Sequence, residues 1–174
     1  MHSKKMMKSK TSTRMPNRVL GIDPGFDRIG VAILERDGSK QVLLHSECII
    51  TNKKDTHDQR LLALGTRIKE VISKWKPTEL AIEQLFFNQN TTSALKVAEA
   101  RGVIIFQAAL AELAIFEYSP QAIKIAVTGY GKADKTAIEN LVRNLIRMPS
   151  TKVLDDEIDA IAVGITHLAT HKGI

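Results

Sequence analysis

At 174 residues, with 44% hydrophobic and 25% charged side chains, the chain has the make-up of one globular domain with enough apolar residues for a core. No apolar run approaches the ~18–20 residues that a membrane span needs, and a single cysteine, Cys48, excludes an internal disulfide and a thiolate metal cluster. That usage points to a reducing, cytoplasmic setting, with Cys48 as a buried thiol on a strand. The formal charge of +6 invites a nucleic-acid partner, but Lys4, Lys5, Lys8, Lys10 and Arg14 crowd into the first fourteen positions and the rest of the chain is close to neutral. Any site for a polyanion must then come from local separation of charge.

Residues 1–18 are polar, basic and without apolar periodicity, and are expected to be a disordered extension, with 19–174 forming the single domain. The run Val19-Leu-Gly-Ile-Asp reads as a short buried strand entering the turn Pro24-Gly25. Strands follow over Ile29–Glu35 and Gln41–Ile50, joined by the hairpin signal Asp37-Gly38. Helical spacing of Leu61, Leu64, Ile68, Val71 and Ile72 marks a helix over Thr56–Lys76, stopped by Pro77. Glu79–Leu85 is a fourth strand, and Asn88–Asn90 a loop. The next helix, Thr91–Leu113, is apolar on nearly all sides, so a second subunit is expected to cover the face that the sheet does not. A fifth strand spans Ala114–Ser119, and helices follow from Pro120 to about Val127, over Lys135–Met148, and from Asp156 to about His171. Three strands in a meander followed by β-α alternation predict an α/β fold with a mixed five-stranded sheet flanked by helices.

Acids in apolar surroundings carry the chemistry. Asp23 ends the first strand, Glu83 interrupts Leu80-Ala-Ile-Glu-Gln-Leu, and Asp156 and Asp159 share one side of the last helix. An unpaired carboxylate on a buried strand costs several kcal/mol, roughly, unless a cation or proton neutralises it. Carboxylate oxygens suit hard divalent ions, and two such ions about 4 Å apart support in-line attack of water on a phosphodiester. Each acid also has a plainer reading. Asp23 organises a turn, and Asp155, Asp156 and Glu157 are favourable charges at a helix N-terminus.

Gly21-Ile-Asp-Pro-Gly, Ala81-Ile-Glu-Gln, Ser93-Ala-Leu-Lys, Ala100-Arg-Gly-Val, Phe116-Glu-Tyr and Asp159-Ala-Ile-Ala-Val-Gly-Ile-Thr-His resemble, in order and spacing, the signature blocks of the RuvC Holliday junction resolvases. The resemblance spans Leu20 to His167 and implies an RNase H-like fold. It implies a homodimer that nicks four-way DNA junctions symmetrically with Mg²⁺, for which Mn²⁺ can substitute, in DNA recombination and repair. Asp23, Glu83, Asp156 and Asp159 match the catalytic, metal-binding positions of the family, and Phe86, Lys124 and Lys135 its DNA-contacting ones. Phe86 is suited to stacking on unpaired bases, and Lys124 and Lys135 to phosphate contacts; the plainer readings are a core aromatic and a solvated helix face. Family members work with the RuvA and RuvB branch-migration proteins. Two alternatives share the fold. One is a nuclease acting on structured RNA. The other is an actin- or sugar-kinase-like phosphotransferase, which needs two lobes where this chain has length for one.

Overall fold

The computed structural model describes residues 17–85, 91–150 and 152–171. Strands β1 (Arg18–Asp23), β2 (Arg28–Asp37) and β3 (Lys40–Ile50) form an antiparallel meander. Helix α1 (His57–Trp75), strand β4 (Glu79–Glu83), helix α2 (Thr91–Leu110) and strand β5 (Ala114–Tyr118) follow, and helices α3 (Pro120–Thr128), α4 (Lys135–Leu145) and α5 (Asp155–Thr170) complete the chain. Both β4 and β5 run parallel to β1, giving the sheet order β3-β2-β1-β4-β5. The element order agrees with the one expected, and the mixed sheet follows from it: hairpins build the antiparallel half and helical crossovers the parallel half.

Strand periodicity divides the core into two layers. Leu20, Ile22, Leu80 and Ile82 face α1 and α2, meeting Leu64, Ile68, Ala100 and Ile104. Val19, Ala32, Leu34 and Ala81 face the opposite way, against Ile123 of α3, Val142 of α4 and Ile158, Ile161 and Ile165 of α5. Helix α5 is buried almost throughout from Glu157 to Leu168. It can lie this close because Gly21 carries no side chain: a Cβ there would stand 2.5 Å from the Ala160 carbonyl oxygen.

The helices begin and end on local chemistry. Gln59 Oε1 accepts from the Thr56 N–H at 3.0 Å, closing a capping box for α1. Ser119 Oγ accepts from Ala122 N–H at 3.1 Å, and Asp134 Oδ1 from Ala137 N–H at 2.8 Å.

Three details differ from the sequence-based expectation. Helix α2 ends at Leu110 rather than Leu113, because Glu112 turns left-handed (φ 59°) and the Leu113 N–H folds back to the Ala108 carbonyl at 3.0 Å. Helix α4 stops at Leu145 because Ile146 is extended, ahead of Pro149. Cys48 is half-buried, not enclosed, since β3 is an edge strand. Residues 1–16 of the basic extension, Phe86, and the Asn88–Asn90 loop lie outside the described residues. No helix among the described residues is long and apolar enough to cross a membrane.

Candidate active site

Asp23 and Glu83 are the last residues of β1 and β4. Alternation along each strand turns Asp23 to the side of Val19 and Glu83 to the side of Ala81, both toward the α5 layer. The parallel register pairs Ile22 with Ile82, so the two acids stand side by side at the carboxyl ends of neighbouring strands. Across the antiparallel pair, Asp23 lies opposite Gly30. A Cβ on Gly30 would come within 1.9 Å of the Asp156 carbonyl oxygen, so this glycine lets the first turn of α5 rest on β2. That close approach delivers Asp156 and Asp159, one helical turn apart, to the same end of the sheet.

Asp23, Glu83 and Asp159 line one cleft of about 280 Å³ together with Lys124 of α3 and Lys135, the first residue of α4, between apolar walls from Ile123, Ile138 and Ala162. Asp156 stands at its margin, paired with the Arg28 guanidinium. Lys135 Nζ spans Asp155 Oδ2 at 3.2 Å and Asp159 Oδ2 at 3.6 Å. A larger hollow of about 730 Å³ along β3, walled by Val42, Leu43, Leu145 and Arg147, has no acid among the described residues that line it. The clustered carboxylates belong to the smaller cleft.

Burial and mutual repulsion define the electrostatics. Burial, with the charges of Asp159, Glu83 and Asp156 adding to it, pushes the Asp23 carboxyl up to about 8 against the pull of Lys135. Burial and then Asp159 push Glu83 up to about 7, opposed by Lys124. Asp159 is also raised, chiefly by burial, with Lys135 opposing. Desolvated carboxylates that repel one another are a site short of positive charge. Among the described residues no three His, Cys, Asp or Glu side chains are already arranged to hold a metal ion. Instead Arg28 and Lys135 occupy Asp156 and Asp159. The donor set nonetheless suits a hard divalent cation, being all carboxylate and partly desolvated.

Several supporting residues escape a reading of motifs alone. Arg60 braces the turn after Asp23. Its Nε donates to Thr51 Oγ1 at 2.9 Å, its Nη2 to the Phe26 carbonyl at 3.3 Å, and its guanidinium lies 3.9 Å from the Phe26 ring centre. His167 is fully buried on α5, with Nε2 2.8 Å from Glu79 Oε2 and Nδ1 2.8 Å from Tyr118 Oη, so it ties α5 to β4 and β5. Glu157, in the acidic first turn, is a cap: its Oε1 accepts from Leu154 N–H at 3.0 Å and its Oε2 from Ser46 Oγ at 2.7 Å. The signal for Arg28 was absent, since its partner lies 128 positions away.

A mixed five-stranded sheet between two helical layers, with acids from β1, β4 and the last helix drawn to one end, places the chain among the RNase H-like α/β proteins. Residues 19–167 match the family described as crossover junction endodeoxyribonuclease RuvC. The RuvC of Alkaliphilus metalliredigens is 40% identical over 155 residues, covering 89% of this chain and 93% of that protein. The RuvC of Brachyspira hyodysenteriae is 42% identical over 153 residues, covering 88% and 94%. The structure of T. thermophilus RuvC in complex with Holliday junction substrate superimposes with a TM-score of 0.82 at 29% identity, covering 88% of this chain and 93% of that one. The chain belongs to the RuvC family of crossover junction endodeoxyribonucleases.

Proposed function

We propose that this protein is a structure-selective endonuclease that resolves four-way (Holliday) DNA junctions by paired symmetric nicks, through Mg²⁺-dependent hydrolysis of the phosphodiester. The observation that carries the reading is the gathering of Asp23, Glu83 and Asp159 in one cleft, with Asp156 at its margin.

Asp23, Glu83, Asp156 and Asp159 would hold the divalent ions, and Mn²⁺ would fit the same oxygen donors. When bound, such ions activate water and stabilise the departing oxygen of the scissile bond. Burial keeps Asp23 and Glu83 partly desolvated, which strengthens their hold on a cation. Lys124 and Lys135, on the same cleft, would contact the phosphate backbone of the cut strand, and Lys135 would have to release Asp159 for that carboxylate to hold an ion. Phe86, three residues beyond Glu83, stacks on an unpaired base at the crossover.

Two sites are needed for symmetric nicks, and α2 offers the surface for pairing them. Leu95, Phe106 and Leu110 are 63%, 59% and 64% exposed, and they fall on one stripe at helical spacing. Gly102 lies on that stripe with no atom of the described residues within 4 Å of where its Cβ would be, an open place for another helix to approach. A homodimer through α2 is the arrangement proposed. It acts in the cytoplasm, in recombination and repair, with RuvA and RuvB as its branch-migration partners. The single nuclease domain opens with β1 at Arg18, and the basic residues before it would be an extension to it.

The test is cleavage of a synthetic four-way junction, the matching duplex and a structured RNA, each with Mg²⁺ or with chelator. The expected result is paired nicks in the junction alone, only with Mg²⁺. Asp23→Asn and Glu83→Gln should lose cleavage yet still shift the junction on a native gel. Undiminished cutting by either variant, or preference for duplex or RNA, would refute the reading.

A further inference from the structure

The carbonyl of Glu83 lacks the partner that its ladder should provide. The Gln84 N–H donates to the Tyr118 carbonyl on β5 at 2.8 Å, so by alternation the backbone groups of residue 83 turn the other way, toward β1. With Ile22 opposite Ile82, the N–H due to that carbonyl in a parallel ladder is that of residue 24. Residue 24 is proline and has none.

Arg101 supplies the missing donor. Its Nε lies 3.3 Å from the Glu83 carbonyl oxygen, and its Nη2 lies 2.9 Å from Glu117 Oε2 on β5. The side chain is only 16% exposed, on a helix whose neighbouring residues Ala100 and Ile104 pack into the layer facing away from α5. It therefore reaches the strand end from the side opposite the cleft that holds the Glu83 carboxylate. A mostly buried guanidinium is unfavourable without such partners.

We propose that Arg101 is a positioning residue for Glu83: it stands in for the N–H that Pro24 cannot give, and it ties the end of β4 to α2. The proposal rests on the nuclease reading above. Because α2 also carries the exposed stripe of Leu95, Phe106 and Leu110, a second copy seated there would press on the helix that steadies Glu83.

The experiment compares Arg101→Gln with the unsubstituted protein in three measurements: junction kinetics, metal-free junction binding, and Mn²⁺ binding by calorimetry well below the melting temperature. Loss of a group that orients a metal-binding carboxylate typically lowers affinity or activity by about 10–100-fold. The expected pattern is a fall of that size in kcat and in Mn²⁺ affinity, with KM and metal-free junction binding nearly unchanged. Adding Pro24→Ala to Arg101→Gln gives residue 24 an N–H and should recover part of the loss. If Arg101→Gln fails to fold, Glu117→Gln, which releases the guanidinium, should show the same pattern in smaller degree. Wild-type kcat and Mn²⁺ affinity in the folded variant would overturn the proposal. So would a loss accounted for entirely by a smaller folded fraction. Glu83→Gln, run alongside, separates the two levels: if it cuts normally the nuclease reading fails, and if it is dead while Arg101→Gln is normal only the role of Arg101 fails.

Discussion

Asp23 is a side chain poorly placed for stability and, in the role proposed for it, well placed to hold a cation. Its carboxyl is pushed up to about 8 by burial and by neighbouring acids, against an ordinary value of 3.8 in the unfolded chain. A carboxyl group with a raised folded pKa binds its proton more tightly in the fold than in the unfolded chain. The metal-free protein therefore loses stability as pH rises from near 4 toward 8. Asp23→Asn removes that penalty. In chelator it should melt several degrees above the wild type at pH 8, with the gap closing toward pH 4. Thermal unfolding across that range checks this, and an Asp23→Asn protein less stable than the wild type at pH 8 would contradict it. The acids themselves were legible beforehand, because Asp23 and Glu83 interrupt apolar runs where only a bound cation or a proton makes them tolerable. Arg28 was not, since its role depends on a contact across 128 positions of chain. Arg101 was visible in its motif, as a charge within an apolar stretch, but its task becomes clear only once the strand register shows that Pro24 leaves a carbonyl without a donor.

Among the elements, α2 shows both what patterning reveals and where it stops. Its apolar residues surround the helix, and the structure accounts for one side: Ala100, Ile104 and Ala108 pack on the sheet while Leu95, Phe106 and Leu110 stay exposed. An interior glycine costs a helix roughly 0.5–1 kcal/mol relative to alanine, and among the described residues nothing meets Gly102 that explains the cost. The proposed dimer does explain it. In solution the protein should sediment as a dimer at micromolar concentration. The double variant Leu95→Glu, Phe106→Glu should be monomeric, with its fold intact and its junction nicks no longer paired. A monomeric wild type would remove the interface. The end of α2 was harder to place, because Glu112 adopts the left-handed conformation that a glycine usually marks. Strands, by contrast, were bounded by Pro24, Gly38 and Pro77, and loop length set the antiparallel meander and the parallel crossovers, though not that β4 joins the β1 edge of the sheet.

At the scale of the molecule, the sheet brings together acids that are up to 136 positions apart, and two glycines decide how closely. Without side chains at Gly21 and Gly30, α5 settles onto β1 and β2 and carries Asp156 and Asp159 to the ends of the strands bearing Asp23 and Glu83. In the absence of ions, Arg28 and Lys135 hold two of the four acids while the others favour their protons. Loading the site should then expel protons as well as displace cations. The most direct test is calorimetric titration of Mg²⁺ near pH 7 in two buffers with different heats of ionisation. The wild type should bind the ion and release protons to the buffer, and Asp23→Asn should bind more weakly and release fewer. Failure to bind a divalent ion, or equal binding by wild type, Asp23→Asn and Glu83→Gln, would show that these carboxylates do not form a shared metal site.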